Sequence, residues 1–318
     1  MKNKNIVVIG GGTGVFTVLS GLKSHPVHLS AVVAMADSGG STRILREEFG
    51  ILPPGDLRRA LVALSRSEKP LASLFNYRFK EGGLNGHSFG NLLITALERI
   101  HGDFEKAIEE AGKILQIKGE VIPVTLTDTN LFAVLEDAQV IKGEGNISVP
   151  KHNPKLKIEK VYLKPKAKIN KRARKAILKA DIIVVGPGDL YTSIVQNLLV
   201  SGVPEAIKKS KAKKVYVCNL TTRLGETHNF TGKDFVATIE KYIGKNTLDY
   251  IIFNNKKPLS SRIARYEKKG SRFVKYDKKN FKNKKCKIIE GNFLRQKGFI
   301  RHDPVKLTKA LLKIINNS

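Results

Sequence analysis

Apolar residues recur along this chain in short continuous runs, and segments with helical spacing follow them. The first run, residues 6–9, is β-branched throughout, which is typical of a parallel strand buried on both faces. Val15, Val18, Leu19 and Leu22 then repeat at intervals of three and four, which predicts a helix with one apolar face. The chain is therefore expected to begin with a strand–turn–helix unit.

The same alternation continues to the end of the chain. Further strands are predicted at 29–36, 181–186, 212–220 and 248–254, and helices at 55–65, 90–100, 104–115, 193–202, 232–244 and 303–316. Alternating strands and helices predict an α/β fold with a doubly wound, mainly parallel sheet and helices on both of its faces. Residues 116–165 differ, because their short strands are rich in Thr, Lys and Gly. We expect a small β-rich excursion there, within a single domain spanning residues 1–318.

Charge divides the chain into two unlike halves. Residues 1–150 carry 16 basic and 16 acidic side chains, whereas residues 151–318 carry 41 and 12 and so account for the whole net charge of +29. The densest basic runs are 151–179 and 256–287, and the C-terminal region from about 256 to 318 is basic throughout. This predicts either weak, nonspecific contact with a polyanion or a solvated lysine-rich surface. Lysine outnumbers arginine 42 to 15, which disfavours sequence-specific nucleic-acid binding.

Hydropathy and the cysteines indicate the cellular compartment of the protein. No apolar run reaches the length of a membrane span, and the apolar start contains glycines and is predicted to be a strand. Cys218 and Cys286 lack metal-ligand spacing and are expected to be buried, reduced thiols. We therefore expect a cytoplasmic protein without a membrane span.

The glycine-rich turn after the first strand is the first candidate for chemistry. Glycine permits close approach of a ligand, and the helix that follows directs N–H groups at the turn, so a phosphate-binding turn is predicted. The dinucleotide fingerprint does not fit, because Val15 and Thr17 occupy the positions of its third glycine, and no P-loop lysine follows. A purely structural turn remains the alternative. The turn comprises Gly10, Gly11, Gly12, Thr13 and Gly14.

Polar, glycine-bearing loops also follow three further strands. Ligands bind at the carboxyl ends of the strands in doubly wound sheets, so several such loops together predict a site for a nucleotide-sized ligand. Asp37 is expected to accept ribose hydroxyls, to hold a cation, or to close an Asx-turn. The candidates are Asp37, Ser38, Gly39, Gly40 and Ser41 in the second loop, Gly186, Pro187, Gly188, Asp189 and Leu190 in the third, and Asn219 in the fourth.

No catalytic residue is predicted from these patterns. His87 beside Ser88 favours a histidine that stabilises its loop over a nucleophile with its base, since sequence neighbours rarely form such a pair. The H-E-x-x-H and C-x-x-C metal motifs are absent from the sequence. Asp56 is expected to cap the helix at 55–65.

Taken in order, the motifs resemble one family. The segments "IGGGTGVFTVLSGLK", "VAMADSGGSTRILREEFGILPPGDLRRALVAL", "GHSFGNLLITAL", "VVGPGDLYTSIVQNLLVSGV", "VYVCNLTTRLGET" and "FIRHDP" are similar to the YvcK group of the CofD-like family, the gluconeogenesis factors. The resemblance runs from residue 5 to about 304. It implies a Rossmann-like fold that binds a UDP-sugar, notably UDP-N-acetylglucosamine, without a cofactor. It also implies a role in cell shape and wall synthesis during growth on gluconeogenic carbon, through an unidentified protein partner; homo-oligomerisation is left open.

The other branch of the family supplies the alternative function. Its members transfer a phospholactyl-type group onto a deazaflavin cofactor precursor and use magnesium. On that reading the chain is an enzyme, and Asp56 contacts the acceptor or the metal.

Residue by residue, the resemblance implies two ligand contacts and shows several departures. Tyr266 and Arg301 fall where the family places an aromatic and an arginine that bind the sugar nucleotide. Ser38 stands where the family has a second aspartate, and Asp189 stands where it has serine. The family pattern N-L-M-T-Q-P-G-E-T appears here as "NLTTRLGET". A carboxylate at Asp189 is expected to repel phosphate unless it faces away or binds a ribose hydroxyl.

Overall fold

In a computed structural model, which describes residues 3–282 and 284–316, the strands form two sheets. The larger is a seven-stranded parallel sheet in the order β10-β9-β8-β7-β1-β2-β3. The smaller is an antiparallel sheet in the order β5-β4-β6. The strands are β1 (Lys4–Gly10), β2 (Val27–Val33), β3 (Glu120–Pro123), β4 (Asn130–Leu135), β5 (Val140–Lys142), β6 (Ile158–Lys164), β7 (Ile182–Val185), β8 (Lys213–Val217), β9 (Tyr250–Asn254) and β10 (Lys287–Gly291).

Helices connect the strands of the large sheet and pack around it. They are α1 (Gly12–Leu22), α2 (Gly40–Phe49), α3 (Gly55–Leu64), α4 (Lys69–Asn76), α5 (Phe89–His101), α6 (Phe104–Ile114), α7 (Glu144–Ser148), α8 (Lys171–Lys179), α9 (Gln196–Leu198), α10 (Val203–Lys209), α11 (Gly232–Ile243), α12 (Ser260–Glu267) and α13 (Pro304–Asn316). A π-helical segment, Leu190–Val195, precedes α9.

The centre of the large sheet lies at β1, which pairs with β2 on one side and β7 on the other. Ile6 lies opposite Ile182 in the parallel register, and both are fully buried. The β-branched runs therefore do form strands covered on both faces, as the sequence predicts. Successive strands lie outward from β1 on one side and from β7 on the other, so the boundary between these two strands is the topological switch point.

The predicted β-rich excursion is the three-stranded sheet that spans residues 130–164. Its central strand β4 carries Phe132, which stacks on Tyr162 of β6 with ring centroids 5.2 Å apart. The strand β3, which lies inside the predicted boundaries of 116–165, instead forms an edge of the large sheet. The Rossmann-like architecture with a small antiparallel addition is confirmed.

Three local expectations differ from the structure. The helix expected at 193–202 is π-helical as far as Val195 and continues only as the short α9. Asp56 does not cap its helix, because α3 begins at Gly55 after Pro54 and the Asp56 carboxylate instead accepts a hydrogen bond from the Gly12 N–H. Cys286 is only half-buried, although Cys218 is fully buried and both thiols are free.

Within the described ranges, no helix combines the length and the apolar character needed to cross a membrane.

Candidate functional site

A cleft of about 1080 Å³ lies at the carboxyl ends of β1, β2, β7 and β8, directly above the switch point. Each of these strands delivers one of the four predicted loops to it. In open α/β sheets this is where ligands bind, because two neighbouring loops diverge there and leave a crevice.

Most of the predicted site residues line this cleft together. Those brought to it are Gly11, Gly12, Thr13, Gly14, Asp37, Gly39, Gly40, Ser41, Asp56, Pro187, Gly188, Asp189, Asn219, Tyr266 and Arg301. Tyr266 follows Asn219 by 47 positions and Arg301 follows it by 82, and both are much farther along the chain from the first loop, yet they share one cavity with these loops.

Four predicted residues lie behind the wall of the cleft instead. Gly10 ends β1, and Gly186 donates its N–H to the Ile9 carbonyl at 3.0 Å. Leu190 is 1% exposed and belongs to the core. The Ser38 hydroxyl accepts a hydrogen bond from the Gly145 N–H at 3.0 Å, so it holds another segment of the chain.

The loops after β1 and β7 touch at Gly14. A Cβ atom at this position would lie 1.9 Å from the Pro187 carbonyl oxygen and 2.9 Å from the Gly188 nitrogen. Both obstacles are backbone atoms, which cannot rotate away. Gly14 is therefore required for the close approach of the two loops that form the floor of the cleft.

Three carboxylates, Asp37, Asp56 and Glu144, line one side of the cleft, which we call the acidic side. Asp37 accepts hydrogen bonds from the Thr42 hydroxyl and the Gly39 N–H, each at 2.9 Å. Asp56, besides its bond from Gly12, lies 3.3 Å from the Arg59 guanidinium. Asp37 and Asp56 are thus held in place by protein donors.

Burial and mutual repulsion shift the acidic side towards the protonated forms. Desolvation, reinforced by the charge of Asp37, raises the pKa of Asp56 to about 6, while Arg59 and the bond from Gly12 oppose the shift. Desolvation together with the charges of Asp37 and Asp56 raises the pKa of Glu144 to about 8. At neutral pH the Glu144 carboxyl is therefore mostly neutral and can donate a hydrogen bond.

A chain of buried polar groups runs beneath the acidic side. Arg58 donates from Nε to the Asn91 amide oxygen at 3.0 Å, and the Asn91 amide nitrogen donates to the Ser41 hydroxyl at 3.2 Å. That hydroxyl also lies 3.2 Å from Nδ1 of His87. His87 is therefore paired with Ser41, whereas its sequence neighbour Ser88 caps α5. Burial lowers the pKa of Arg58 to about 10, so it keeps its positive charge beside the cleft.

The short helix α7 connects the two sides of the cleft. At its start, Gly145 donates its N–H to Ser38 of the loop after β2. At its end, the Ser148 carbonyl accepts hydrogen bonds from Arg223 of the loop after β8, from Nε at 3.1 Å and Nη2 at 2.9 Å. The excursion thus supplies a wall of the site, with Glu144 and Ser148 on its lining.

Arg223 also forms an ion pair with Asp189. Arg223 stands where the family pattern has glutamine and Asp189 where it has serine, so two departures from that pattern contact each other. The guanidinium offsets the carboxylate, and the expected repulsion of phosphate by Asp189 is reduced. Arg223 lies 3.5 Å from Glu226 as well, whose pKa burial raises to about 7.

The opposite side of the cleft is formed by Leu220, Tyr266, Ile300, Arg301 and His302, and we call it the aromatic side. The Tyr266 hydroxyl accepts a hydrogen bond from the Ile300 N–H at 3.0 Å, which fixes the ring. Arg301 is exposed, and its guanidinium lies over the Phe299 ring at 5.2 Å from the centroid. The two residues that the family resemblance implies for sugar-nucleotide binding are therefore placed side by side.

The carboxylates of the cleft are the donors that a metal ion would require. Among residues 3–282 and 284–316, no group of three or more His, Cys, Asp or Glu side chains is arranged to hold a metal ion. Asp37 and Asp56 remain as a carboxylate pair on the cleft, and Mg²⁺ is commonly bound by one or two carboxylates together with substrate phosphates. The chain thus offers part of a magnesium site that a phosphate ligand would complete.

Several lining residues were not singled out from the sequence. Arg58 and Arg59 lie in the most specific motif, and His302 is adjacent to Arg301, so proximity to a motif was the available signal. Glu144 gave no signal, because it reaches the cleft only through the antiparallel sheet. Other lining residues with polar side chains that were not predicted include Arg78, Asn91, Ser148, Gln196, Lys269 and Ser271.

Comparison with known proteins places this architecture in a family. A family model described as 2-phospho-L-lactate transferase CofD matches residues 6–294. The gluconeogenesis factor of Halalkalibacterium halodurans is 43% identical over 98% of this chain and 97% of its own, and that of Bacillus subtilis is 38% identical over 99% of both. A crystal structure of a UPF0052 family protein from Bacillus halodurans superposes with a TM-score of 0.93 at 41% identity, covering 98% of this chain and 99% of the other. The chain belongs to the CofD family, in the group of gluconeogenesis factors that its motifs indicate.

Proposed function

We propose that this protein is a regulatory protein that binds a UDP-sugar, with UDP-N-acetylglucosamine as the first candidate, and has no turnover of its own. The observation that carries the proposal is the shared cleft. An aromatic ring, an exposed arginine and two glycine loops that follow adjacent parallel strands all line it. These are the groups that a nucleoside diphosphate requires, because a base stacks on a ring, arginine forks onto phosphate, and glycine loops expose N–H groups.

The cleft also suits the charge and size of such a ligand. Its volume of about 1080 Å³ lies at the upper end of the range for small-molecule sites. Arg58, Arg59 and Arg78 line it and supply positive charge opposite a diphosphate. The protonated Glu144 adds a donor without adding a negative charge at neutral pH.

For the cellular role, we propose the one that the family resemblance implies. UDP-sugar occupancy would be sensed in the cytoplasm and passed to a protein partner in cell-wall synthesis during growth on gluconeogenic carbon. Bound UDP-sugar is the ligand here, and no further cofactor is invoked.

Calorimetric titration tests the proposal directly. Wild-type protein is titrated with UDP-N-acetylglucosamine, UDP-glucose and GTP, and only the UDP-sugars are expected to bind. Arg301→Ala should weaken binding by about 2–4 kcal/mol if its guanidinium forks onto the diphosphate, and Arg301→Lys should recover part of that loss. Arg265→Ala is the matched control, because Arg265 is exposed on α12 and does not line the cleft. Absence of UDP-sugar binding by folded wild-type protein would refute the proposal.

A second candidate function is transfer of a phospholactyl-type group to a deazaflavin precursor. Two observations favour it: the matching family model is named for such a transferase, and Asp56 lies on the cleft beside Asp37. These two carboxylates would hold Mg²⁺ against the donor phosphate and promote its transfer by neutralising charge. If this candidate is right, product should form in the presence of Mg²⁺ and should be lost in Asp56→Asn. Under the regulatory proposal, neither protein yields product.

Polyanion contact by the basic half of the chain is a third, compatible proposal. The charge imbalance of residues 151–318 supports it. The logarithm of the DNA affinity should fall linearly with the logarithm of salt concentration, by ~0.9 per duplex phosphate neutralised. Different DNA sequences should compete about equally. The proposal would be refuted if no DNA or polyanion binding is detected at ~50 mM salt, where screening is modest.

A further inference from the structure

His302 is a histidine on the cleft that has no assigned role. It lies just before α13, where its backbone forms a bridge with Leu294, and its side chain is 6% exposed. Burial lowers its pKa to about 4, and a hydrogen bond to the Cys218 backbone acts in the opposite direction. The imidazole is therefore neutral under physiological conditions, with one nitrogen a donor and the other an acceptor.

The acceptor nitrogen has no donor within the described part of the protein. Nε2 of His302 is buried and finds no hydrogen-bond partner there. The hydrogen bond to Cys218 is donated by the other ring nitrogen, which leaves Nε2 as the acceptor. Buried polar atoms in folded proteins are nearly always paired, so an unpaired one on the wall of a cavity points to a partner outside the chain.

A second unpaired acceptor lies close by. Asn219, which directly follows Cys218, donates from its amide nitrogen to the Gly188 carbonyl at 2.6 Å. That bond orients the amide, and its oxygen Oδ1 is buried without a partner in the described residues. Asn219 and His302 both line the cleft, so each brings one unpaired, buried acceptor to its wall near the end of β8.

The surroundings of His302 suit a flat ring. Leu220 and Ile300 are about 95% buried and supply apolar surface, and the Tyr266 ring is fixed by its bond to Ile300. A heteroaromatic base can stack on the Tyr266 ring and bury its edge against such an apolar wall. A fixed acceptor in that wall distinguishes bases by whether they offer a donor to it.

Building on the proposed UDP-sugar function, we propose that His302 selects the base, with Nε2 accepting the N3–H of uracil. Asn219 Oδ1 accepts a ribose hydroxyl of the same nucleotide. Uracil and cytosine have nearly the same shape, but N3 of uracil carries a hydrogen whereas N3 of cytosine is itself an acceptor. Cytidine would place two acceptors against each other and leave His302 unpaired. The site is thus specific for uridine nucleotides over cytidine nucleotides.

The ligand side of the proposal is tested with wild-type protein alone. Calorimetry compares UDP-N-acetylglucosamine, UDP, CDP and 3-methyluridine diphosphate, in which a methyl group replaces the N3 hydrogen. UDP should bind about 10- to 100-fold more tightly than CDP or the methylated analogue, the range for leaving a buried acceptor unpaired. If UDP-N-acetylglucosamine does not bind, the proposed function fails. If it binds but UDP and CDP bind equally, only the assignment of His302 fails.

The protein side uses His302→Leu and a matched control. His302→Leu removes the acceptor, so its affinity for UDP should fall to the wild-type level for CDP, while the methylated analogue should lose little further. His228→Leu is the control, because Nδ1 of His228 is also buried and unpartnered in the described residues but His228 does not line the cleft. The control should bind UDP as the wild type does. Unchanged discrimination between UDP and its methylated analogue in His302→Leu would overturn the inference. If that variant does not fold, the wild-type comparison still decides.

Discussion

The two sides of the cleft satisfy their polar groups in opposite ways. On the acidic side, Asp37 and Asp56 receive hydrogen bonds from Thr42, Gly39 and Gly12 of the protein. On the aromatic side, His302 and the neighbouring Asn219 keep buried acceptors without donors in the described residues. The carboxylates are held by protein donors, whereas the unpaired acceptors are the groups that we propose for recognition of the base and the ribose. We therefore expect the residues of the aromatic side to determine which ligand binds.

The sides also differ in how they are assembled. Asp37 and Asp56 come from one continuous motif near the start of the chain, and Glu144 joins them through α7. The aromatic side combines the loop after β8 with residues 266 and 300–302. Variants that act on the loops, on the carboxyls or on α7 should therefore affect the two sides unequally.

The largest expected effect is at Gly14, where both sides share one floor. Gly14→Ala places a Cβ into the Pro187 carbonyl, so the loops after β1 and β7 must separate. We expect a loss of unfolding free energy of about 3 kcal/mol, at the upper end for overpacking because the obstacle is backbone. Urea denaturation measures it.

Gly83→Ala serves as the control for that variant, since a Cβ at Gly83 meets nothing within 4 Å. Equal stability of Gly14→Ala and wild type would show that the two loops do not need their close approach.

The raised pKa of Glu144 on the acidic side predicts that the stability of the protein depends on pH. The pKa of Glu144 rises from its ordinary value of 4.5 to about 8 on folding, mainly by burial and through the charges of Asp37 and Asp56. The folded state then binds more protons than the unfolded state between these values. This contribution to stability is complete below pH 4.5 and is lost as pH rises through 8, with a slope of at most about 1.4 kcal/mol per pH unit.

Glu144→Gln should flatten that slope, because the amide does not titrate. The charge of Glu226 raises the pKa of Glu144 and the charge of Arg223 lowers it, and the pKa of Glu226 is itself raised. Other groups therefore also titrate, and their part of the slope should remain in the variant. Urea unfolding at several pH values measures both proteins. An identical slope in wild type and variant would remove Glu144 from the titrating groups.

Variants of the Asp189–Arg223 ion pair test how Arg223 of the loop after β8 is held against α7. Arg223→Gln and Asp189→Ser restore the family pattern one position at a time, and the double variant restores both. Because each side chain is 37% exposed, we expect a modest coupling of about 0.5–1 kcal/mol in a double-mutant cycle. Arg223→Gln should be the more destabilising single change, since it also removes the donors to Ser148. Additive effects in thermal unfolding would mean that the two departures are independent.

The smallest effect is expected at Ser38, on the other end of α7. Ser38→Ala leaves the Gly145 N–H without its acceptor and should cost about 1 kcal/mol of unfolding free energy. Ser148→Ala is a useful comparison, because Arg223 binds the Ser148 carbonyl and not its hydroxyl. Hydrogen exchange of the Gly145 amide reports the change locally, and unaltered protection would contradict the role given to Ser38.

The sequence by itself determined the architecture and most of the cleft. Uninterrupted β-branched runs such as residues 6–9 predict buried parallel strands, and loops at the carboxyl ends of such strands converge because the strands are parallel. Asp56 was wrongly expected to cap its helix, and only the alternative reading gave it a ligand or metal contact; in the structure it lines the cleft.

Only the tertiary structure decided which side chains meet there and in what charge state. Glu144 reaches the acidic side because an antiparallel sheet carries α7 between Ser38 and Arg223, and no local pattern encodes a contact across 107 positions. The partnership of Asp189 with Arg223 and the unpaired Nε2 of His302 likewise depend on which groups burial leaves within reach. Hydrophobic periodicity is a local property that a sequence displays directly, whereas hydrogen-bond satisfaction and pKa depend on three-dimensional neighbours.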